Sequence, residues 1–391
     1  MMEEINQVVA AYTSNENALS EKPPQLQAKS ALRKRTKMQM QRIIIDTLLW
    51  CVLAVLIVIG RKNAGILEQY SSVSLRYETP VSGQTAYDAR RYAIEQEGSE
   101  VFWPTFWHEG NARFSAEFTE TTADCILLSG DAALVWPAEY LFGEAPGTLD
   151  DVGCAVSSRL SGELWGGMDV VGKTVEVDGE VRIVRGVFEG EELLAILSVR
   201  DENKSHSFTA VELSGGISSP DRSDIETFAV SAGLGKPDNI LIGTPAFIAA
   251  VVAILPLCIL AFYGIILCVS RLKRCSSIVR GAVMLAAFLC SAFLLPVLLE
   301  AMPERMIPTR WSDFSFWGAL VDQINGDLYE YYTLTPHLRD VMCKILFFKQ
   351  IIIAFFSTGI ALSVCLRWQG KLQNEMILQR SNHGRYNTGK H

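Results

Sequence analysis

The sequence predicts a membrane α-helical protein with four transmembrane helices, one plus three, and an α+β extracytoplasmic domain inserted between helices 1 and 2. Three observations carry this. The mean hydropathy of +0.20 comes from four apolar runs, and the segments between them are ordinary or acidic. Lysine and arginine collect beside alternate ends of those runs. The segment between the first two runs, 61–245, is long enough to bury a core of its own.

A hydrocarbon layer of about 30 Å needs about 20 apolar residues in a helix. The runs that qualify are 43–60, 246–269, 281–299 and 349–366. The first follows a polar and then basic stretch, and no small-residue cleavage site comes after it, so it reads as a retained anchor. Asp46 and Lys349 each lie within about a turn of a span end, where snorkelling reduces the cost of a charge. They are also candidates for contacts within the bundle. Pro256 and Pro296 fall inside spans, where neighbouring helices tolerate them.

Orientation follows from the basic residues. They flank the first span in the tail 1–42, whose juxtamembrane stretch 29–42 reads as a basic helix. They recur in the short loop 270–280 and in the tail 367–391. These three segments are expected in the cytoplasm, with both termini inside a cell (plasma) membrane. The segment 61–245 carries 14 Lys+Arg against 30 Asp+Glu, a balance of −16, and is expected outside together with the loop 300–348.

Within 61–245, apolar spacing predicts a helix over 84–97, and period-two alternation predicts a strand over 112–118. A hairpin is expected over 173–187, with Asp178-Gly179 as its turn. Further elements are a helix over 155–164, strands over 193–199 and 208–213, and a helix near 224–233. No regular βαβ alternation or internal repeat is present. The aromatics Phe102, Trp103, Phe106 and Trp107, with Trp136, Tyr140 and Phe142, read either as a carbohydrate or peptide platform or as core packing.

Several motifs invite chemistry. Residues 167–174 (GMDVVGKT) satisfy the phosphate-loop pattern, yet no apolar strand precedes them and a hairpin follows. They read as a turn, so the chain is not expected to hydrolyse ATP itself. The nine cysteines are scattered, five of them in spans. Cys125 and Cys154 both fall in 61–245 and form the candidate disulfide. No Cys/His set has metal-ligand spacing, and no nucleophile elbow or metalloprotease helix occurs. Glu109 beside His108, and the run Glu189, Glu191 and Glu192, read as acid–base candidates or as solvated surface. Catalytic, cofactor and metal sites are therefore expected to be absent, and no nucleic-acid partner is called for.

One segment carries a family resemblance. From Cys154 to Phe188 the chain has a helix ending in Leu164-Trp165, then Val170-Val171-Gly172-Lys173, Asp178-Gly179 between two strands, and a closing Val184-Arg185-Gly186-Val187. This resembles the periplasmic core domain of the MacB/FtsX-like permeases of ABC transporters, and the one-plus-three layout is similar to theirs. The resemblance implies a cytoplasmic ABC ATPase subunit and a second permease copy, as homo- or heterodimer. It also implies ATPase contacts through residues near 32–41 and through the loop residues Arg271, Leu272, Lys273, Arg274 and Ile278. The work implied is export, extraction or outward mechanical signalling. The alternative is a membrane-anchored sensor or scaffold that regulates cell-envelope proteins without transport; a membrane-bound enzyme has least support.

Overall fold

The computed structural model describes residues 24–96, 101–117, 119–148, 150–199, 206–216, 220–272, 276–278, 281–286, 288–289, 292 and 314–387. The chain divides into two units, 58–356, and 1–57 with 357–391.

Among the described residues, three helices are long and apolar enough to cross a membrane. They are Met40–Gln69 within α1 (Pro24–Gln69), Thr244–Leu267 within α6 (Thr244–Leu272) and Leu338–Gly370 within α8 (Leu338–Asn387). The helix of the first span thus runs unbroken from the basic stretch and continues nine residues beyond Gly60. The expected third span, 281–299, lies largely outside the described residues. In the unit formed by 1–57 and 357–391, Asp46 is paired: Arg367 donates Nε–H to its Oδ1 at 2.8 Å. Lys349, in the other unit, is exposed.

Between α1 and α6 lies the α+β domain. Its strands are β1 (Val73–Ser82), β2 (Phe102–Ala116), β3 (Thr119–Ser129), β4 (Tyr140–Gly143), β5 (Gly153–Ser157), β6 (Thr174–Val177), β7 (Glu180–Phe188), β8 (Leu194–Ser198), β9 (Ser207–Gly215) and β10 (Asn239–Leu241). The helices are α2 (Gly83–Glu95), α3 (Ala132–Val135), α4 (Ser158–Trp165) and α5 (Arg222–Ser231). The sheet runs β10-β1-β9-β2-β3-β8-β5-β7-β4, with β6 bridging β2 and β7. That bridge closes β2, β3, β8, β5, β7 and β6 into a ring, so the long β2 serves both a closed barrel and an open sheet.

Each part has its own core. Phe114, Cys125, Cys154, Val156, Val175 and Val184 fill one side of the ring, where α4 adds Leu160 and Leu164. On the open part, Leu75, Phe106, Phe208 and Val211 pack against α2 and α5. Capping fixes the helix starts: Ser82 Oγ accepts from Thr85 N–H and Ser157 Oγ from Leu160 N–H. The expected hairpin is present. Asp178 and Gly179 both take positive φ, 48° and 92°, as a tight two-residue turn with right-handed strand twist requires. Gly186 has a separate reason: a Cβ there would run into the Glu144 carbonyl and the Tyr140 ring.

Four expectations need correction. The helix expected over 155–164 begins only at Ser158, because Gly153–Ser157 is a fully buried strand between β7 and β8. The strand expected over 112–118 begins ten residues earlier and spans Phe102–Ala116; of the two readings of its aromatics, core packing holds for Phe102, Phe106 and Trp107, which are buried, while Trp103 is 47% exposed. The region 300–348, expected as a loop, holds helix α7 (Phe314–Thr333) and the start of α8. Finally, Cys125 and Cys154 are free thiols on β3 and β5, with β8 between them. Two strand spacings come to roughly 9–10 Å, beyond the Cα separation of about 7 Å that a disulfide can span. Burial also pushes the two thiols up, Cys125 to about 11 and Cys154 to about 12.

A buried charge junction at the head of the last apolar helix

The candidate functional site lies within 58–356, where α1 passes into β1 and α8 begins. β1 places Ser74 and Arg76 on one face while Val73, Leu75 and Tyr77 enter the core of the open sheet. Ser72 precedes the strand on the same polar face. Across the ladder, Ser74 stands opposite Glu212 of β9. Helix α8 starts just after Pro336, with Arg339 and Asp340 in its first turn.

These residues meet in a closed set of four charges. Glu212 is fully buried and receives hydrogen bonds from Ser72 Oγ (2.7 Å), Ser74 Oγ and Trp107 Nε1 (3.1 Å). Arg76 reaches Glu212 at 3.4 Å and Asp340 at 2.9 Å. Arg339 reaches Glu212 at 3.3 Å and donates to Ser72 Oγ and to the carbonyls of Tyr70 and Leu134. Both guanidinium groups also lie over aromatic rings, Arg76 over Trp107 at 4.8 Å and Arg339 over Tyr70 at 5.4 Å. All four charged side chains are at most 4% exposed. Two positive and two negative charges cancel, which is what makes burial tolerable; a lone ion here would carry several kcal/mol of uncompensated desolvation.

A carboxylate beside this cluster performs a second task. Glu109 of β2 accepts the N–H groups of Leu338 (2.8 Å) and Arg339 (3.3 Å), capping the start of α8, and contacts His337 at 3.4 Å. Its role is thus to hold a helix N-terminus, where the dipole favours a negative charge. His108 shares a 3.1 Å hydrogen bond with Thr209, and its pKa is lowered, first by burial and then by neighbouring His337, against an opposing pull from Glu109. His337 in turn packs edge-on against Trp107 at 5.2 Å.

A looser clamp joins α7 to the same domain. Arg222, at the start of α5, contacts Asp327 at 3.1 Å and Glu330 at 2.5 Å. Thr244 Oγ1 donates to Asp327 at 2.9 Å, and Ile240 N–H to Glu330 at 3.1 Å. Further along the helices, Asn63 Nδ2 donates to Leu346 O (3.0 Å) and Gln350 Oε1 (3.1 Å), and Gln350 donates to Ala249 O. One polar knot thereby binds α1, α6 and α8. A small cavity of about 30 Å³ lies beside the junction, lined in part by Tyr70, Ser72, Tyr331, Arg339 and Cys343.

The sequence-predicted positions are distributed elsewhere. Arg271 and Leu272 end α6; Lys273 and Arg274 lie outside the described residues; Ile278 is 85% exposed. The segment 167–174 is a turn into β6: Gly172 N–H donates to Val184 O and Lys173 N–H to Val170 O, so these amides are engaged within the hairpin. No group of three or more His, Cys, Asp or Glu residues able to hold a metal occurs among the described residues. The junction itself was missed in the sequence. Its signal is Arg339-Asp340 three and four residues after Pro336, the pattern of a charged helix start, in a stretch that reads as loop.

No family model matches the chain, and no curated protein matches it in sequence. Among solved structures, it is similar to the periplasmic region of MacB from Actinobacillus actinomycetemcomitans, at 10% identity and a TM-score of 0.37, over 44% of this chain and 89% of that one. It is also similar to the extracellular domain of the noncanonic ABC-type transporter YknZ from Gram-positive bacteria, at 10% identity and a TM-score of 0.33, over 44% and 98%.

Proposed function

We propose that the chain is the membrane-spanning permease subunit of an ABC transporter, and that it couples ATP hydrolysis by a separate cytoplasmic ATPase to movement of its extracytoplasmic α+β domain. The observation that carries the reading is the buried junction. A helix that only anchors a domain needs a linker; here the first turn of α8 is fastened by Arg339 and Asp340 into β1 and β9, and by Glu109 into β2. A displacement of α8 along or about its axis would therefore be delivered to the sheet instead of being absorbed in a loop.

The remaining parts follow. The basic loop 270–280 is held between the ends of two spans and is the surface through which a motor would push, with Arg271, Leu272, Lys273, Arg274 and Ile278 as the contacts. α1, unbroken from Pro24, would bring the basic stretch before the first span to the same motor. The apolar windows of α1 and α6 are only 11% buried in a single chain, which leaves surface for lipid and for a second copy. The domain would then work on material or partners outside the cytoplasm.

Purification of the tagged full chain from its own cell in mild detergent, with mass spectrometry of what co-elutes, tests this. A stoichiometric ATPase that is lost in the double variant Lys273→Glu, Arg274→Glu is the expected result. Recovery of envelope proteins and no ATPase would replace the permease reading with that of a sensor or scaffold.

A further inference from the structure

We propose that α7 is an interfacial helix whose apolar stripe rests on the lipid of the leaflet next to the α+β domain, holding that domain at a fixed height above the bilayer. This goes beyond the coupling reading and does not depend on it.

Helix α7 has two apolar faces, and the protein uses one. Leu320, Asp327 and Tyr331 are buried, and Asp327 and Glu330 are tied to Arg222, Thr244 and Ile240. Alongside runs a second line: Trp317, Val321 and Tyr332 are exposed, and Leu328 is half-buried. Their spacings of four, seven and four residues put them on one helix face, over about 22 Å of axis. Of the exposed polar residues, Gln323 lies about 150° around the helix from the stripe and Asp322 about 110°, while Asn325 borders it.

The position of this stripe names its occupant. At its end the Tyr332 ring meets Phe348 of α8, centroids 6.1 Å apart. Phe348 belongs to the exposed apolar side of a candidate span, together with Ile345, Ile352 and Phe355. The stripe is therefore continuous with a surface that only lipid or another span can cover.

The charges give its depth. The Asn63–Gln350 bond, and the close approach of Gly60 to Ile353, place Arg61 and Lys62 of α1 within about 3–4.5 Å of the level of Lys349 on α8, and all three are exposed. Three cations within one helical turn of depth mark a headgroup boundary. Lys344 lies five residues further toward the domain, about 7.5 Å along the helix, which matches a headgroup layer of about 5–7 Å on each side of the hydrocarbon. There its Nζ sits 5.5 Å and 5.7 Å from the ring centroids of Tyr331 and Tyr332. Tryptophan and tyrosine with a neighbouring cation are the side chains that favour this layer.

The test uses the full chain reconstituted in phosphatidylcholine vesicles. Tryptophan emission is compared between wild type and Trp317→Phe, with lipid brominated near the top of the acyl chain and with aqueous iodide as quenchers. The expected result is that the emission lost in the variant is the part quenched by the brominated lipid and spared by iodide. Quenching by iodide alone would place Trp317 in water and overturn the proposal; quenching by neither would mean that protein covers the stripe, and would overturn it as well. Val321→Trp in the Trp317→Phe background gives a second reading, in which bromine-sensitive emission is expected to return. No ATPase enters the measurement, so its failure would leave the transporter reading untouched.

Discussion

The α+β domain is fastened to its helices at two places that use the same chemistry at different degrees of exposure. At the head of α8, Arg76, Arg339, Glu212 and Asp340 are sealed from water and balance one another. At α7, a single Arg222, 39% exposed, answers two carboxylates. In the sealed set each charge depends on the others, because water cannot replace a missing partner. At α7 water and salt reach Arg222, and the Thr244 hydroxyl shares the load on buried Asp327; pairs open to water typically contribute about 0–1 kcal/mol. The first arrangement therefore behaves as a weld between sheet and helix, and the second as an adjustable strut.

The largest effect should come from breaking the weld on one side only. Glu212→Gln removes one negative charge while two guanidinium groups stay buried around the site. A loss of about 3–5 kcal/mol is expected, the cost of an uncompensated buried charge. Denaturant unfolding of the full chain in detergent, followed by tryptophan fluorescence, measures it. The sharper form is a cycle with Arg339→Met. The double variant restores the balance of one positive and one negative charge, and should lose less stability than the sum of the two singles. Strict additivity would mean that the four charges are not one unit.

This weld was the least legible part of the sequence, and the reason is physical. Arg76, Glu212 and Arg339 are separated by more than a hundred residues, and each alone looks like one more surface charge in an acidic chain. Local patterns were read where one face is buried: the hairpin β6–β7 alternates and its Asp178-Gly179 turn is where the chain demands positive φ. They failed where both faces are buried. β5 has no alternation and reads as the start of the following helix, and the aromatic half of β2 carries no strand pattern of its own. Pro104 lies in that half, paired only with β9, since pairing with β3 begins at Phe106. The apolar helices are legible by length and hydropathy alone, but α7 is not, because its domain-facing side is interrupted by Asp327 and Glu330, the very residues that clamp it.

The strut should yield by less. Arg222→Ala leaves Asp327, 5% exposed, with the Thr244 hydroxyl still donating to it. A loss of about 1 kcal/mol is expected, shrinking as salt is raised, since a partly exposed pair is screened within about 8 Å at physiological ionic strength. The comparison breaks if Arg222→Ala costs as much as Glu212→Gln, or if its cost ignores salt.

The smallest effect should appear as a pH dependence at the edge of the weld. His108 has a folded-state pKa below its ordinary value of 6.5, chiefly from burial and then from His337, and Glu109 pulls the other way. Because the folded form resists the proton more than the unfolded form does, its stabilising contribution is complete above about pH 6.5 and is lost as pH falls from there toward the lowered value. The full chain should accordingly melt at a lower temperature at pH 5 than at pH 7, and His108→Asn should reduce that difference. His206, lowered mainly by burial, titrates in the same direction, so the variant should reduce the difference without abolishing it. A pH dependence unchanged by His108→Asn would mean that His108 meets the same surroundings folded and unfolded, and that the shielding from water which defines the junction stops short of the His108–Thr209 pair.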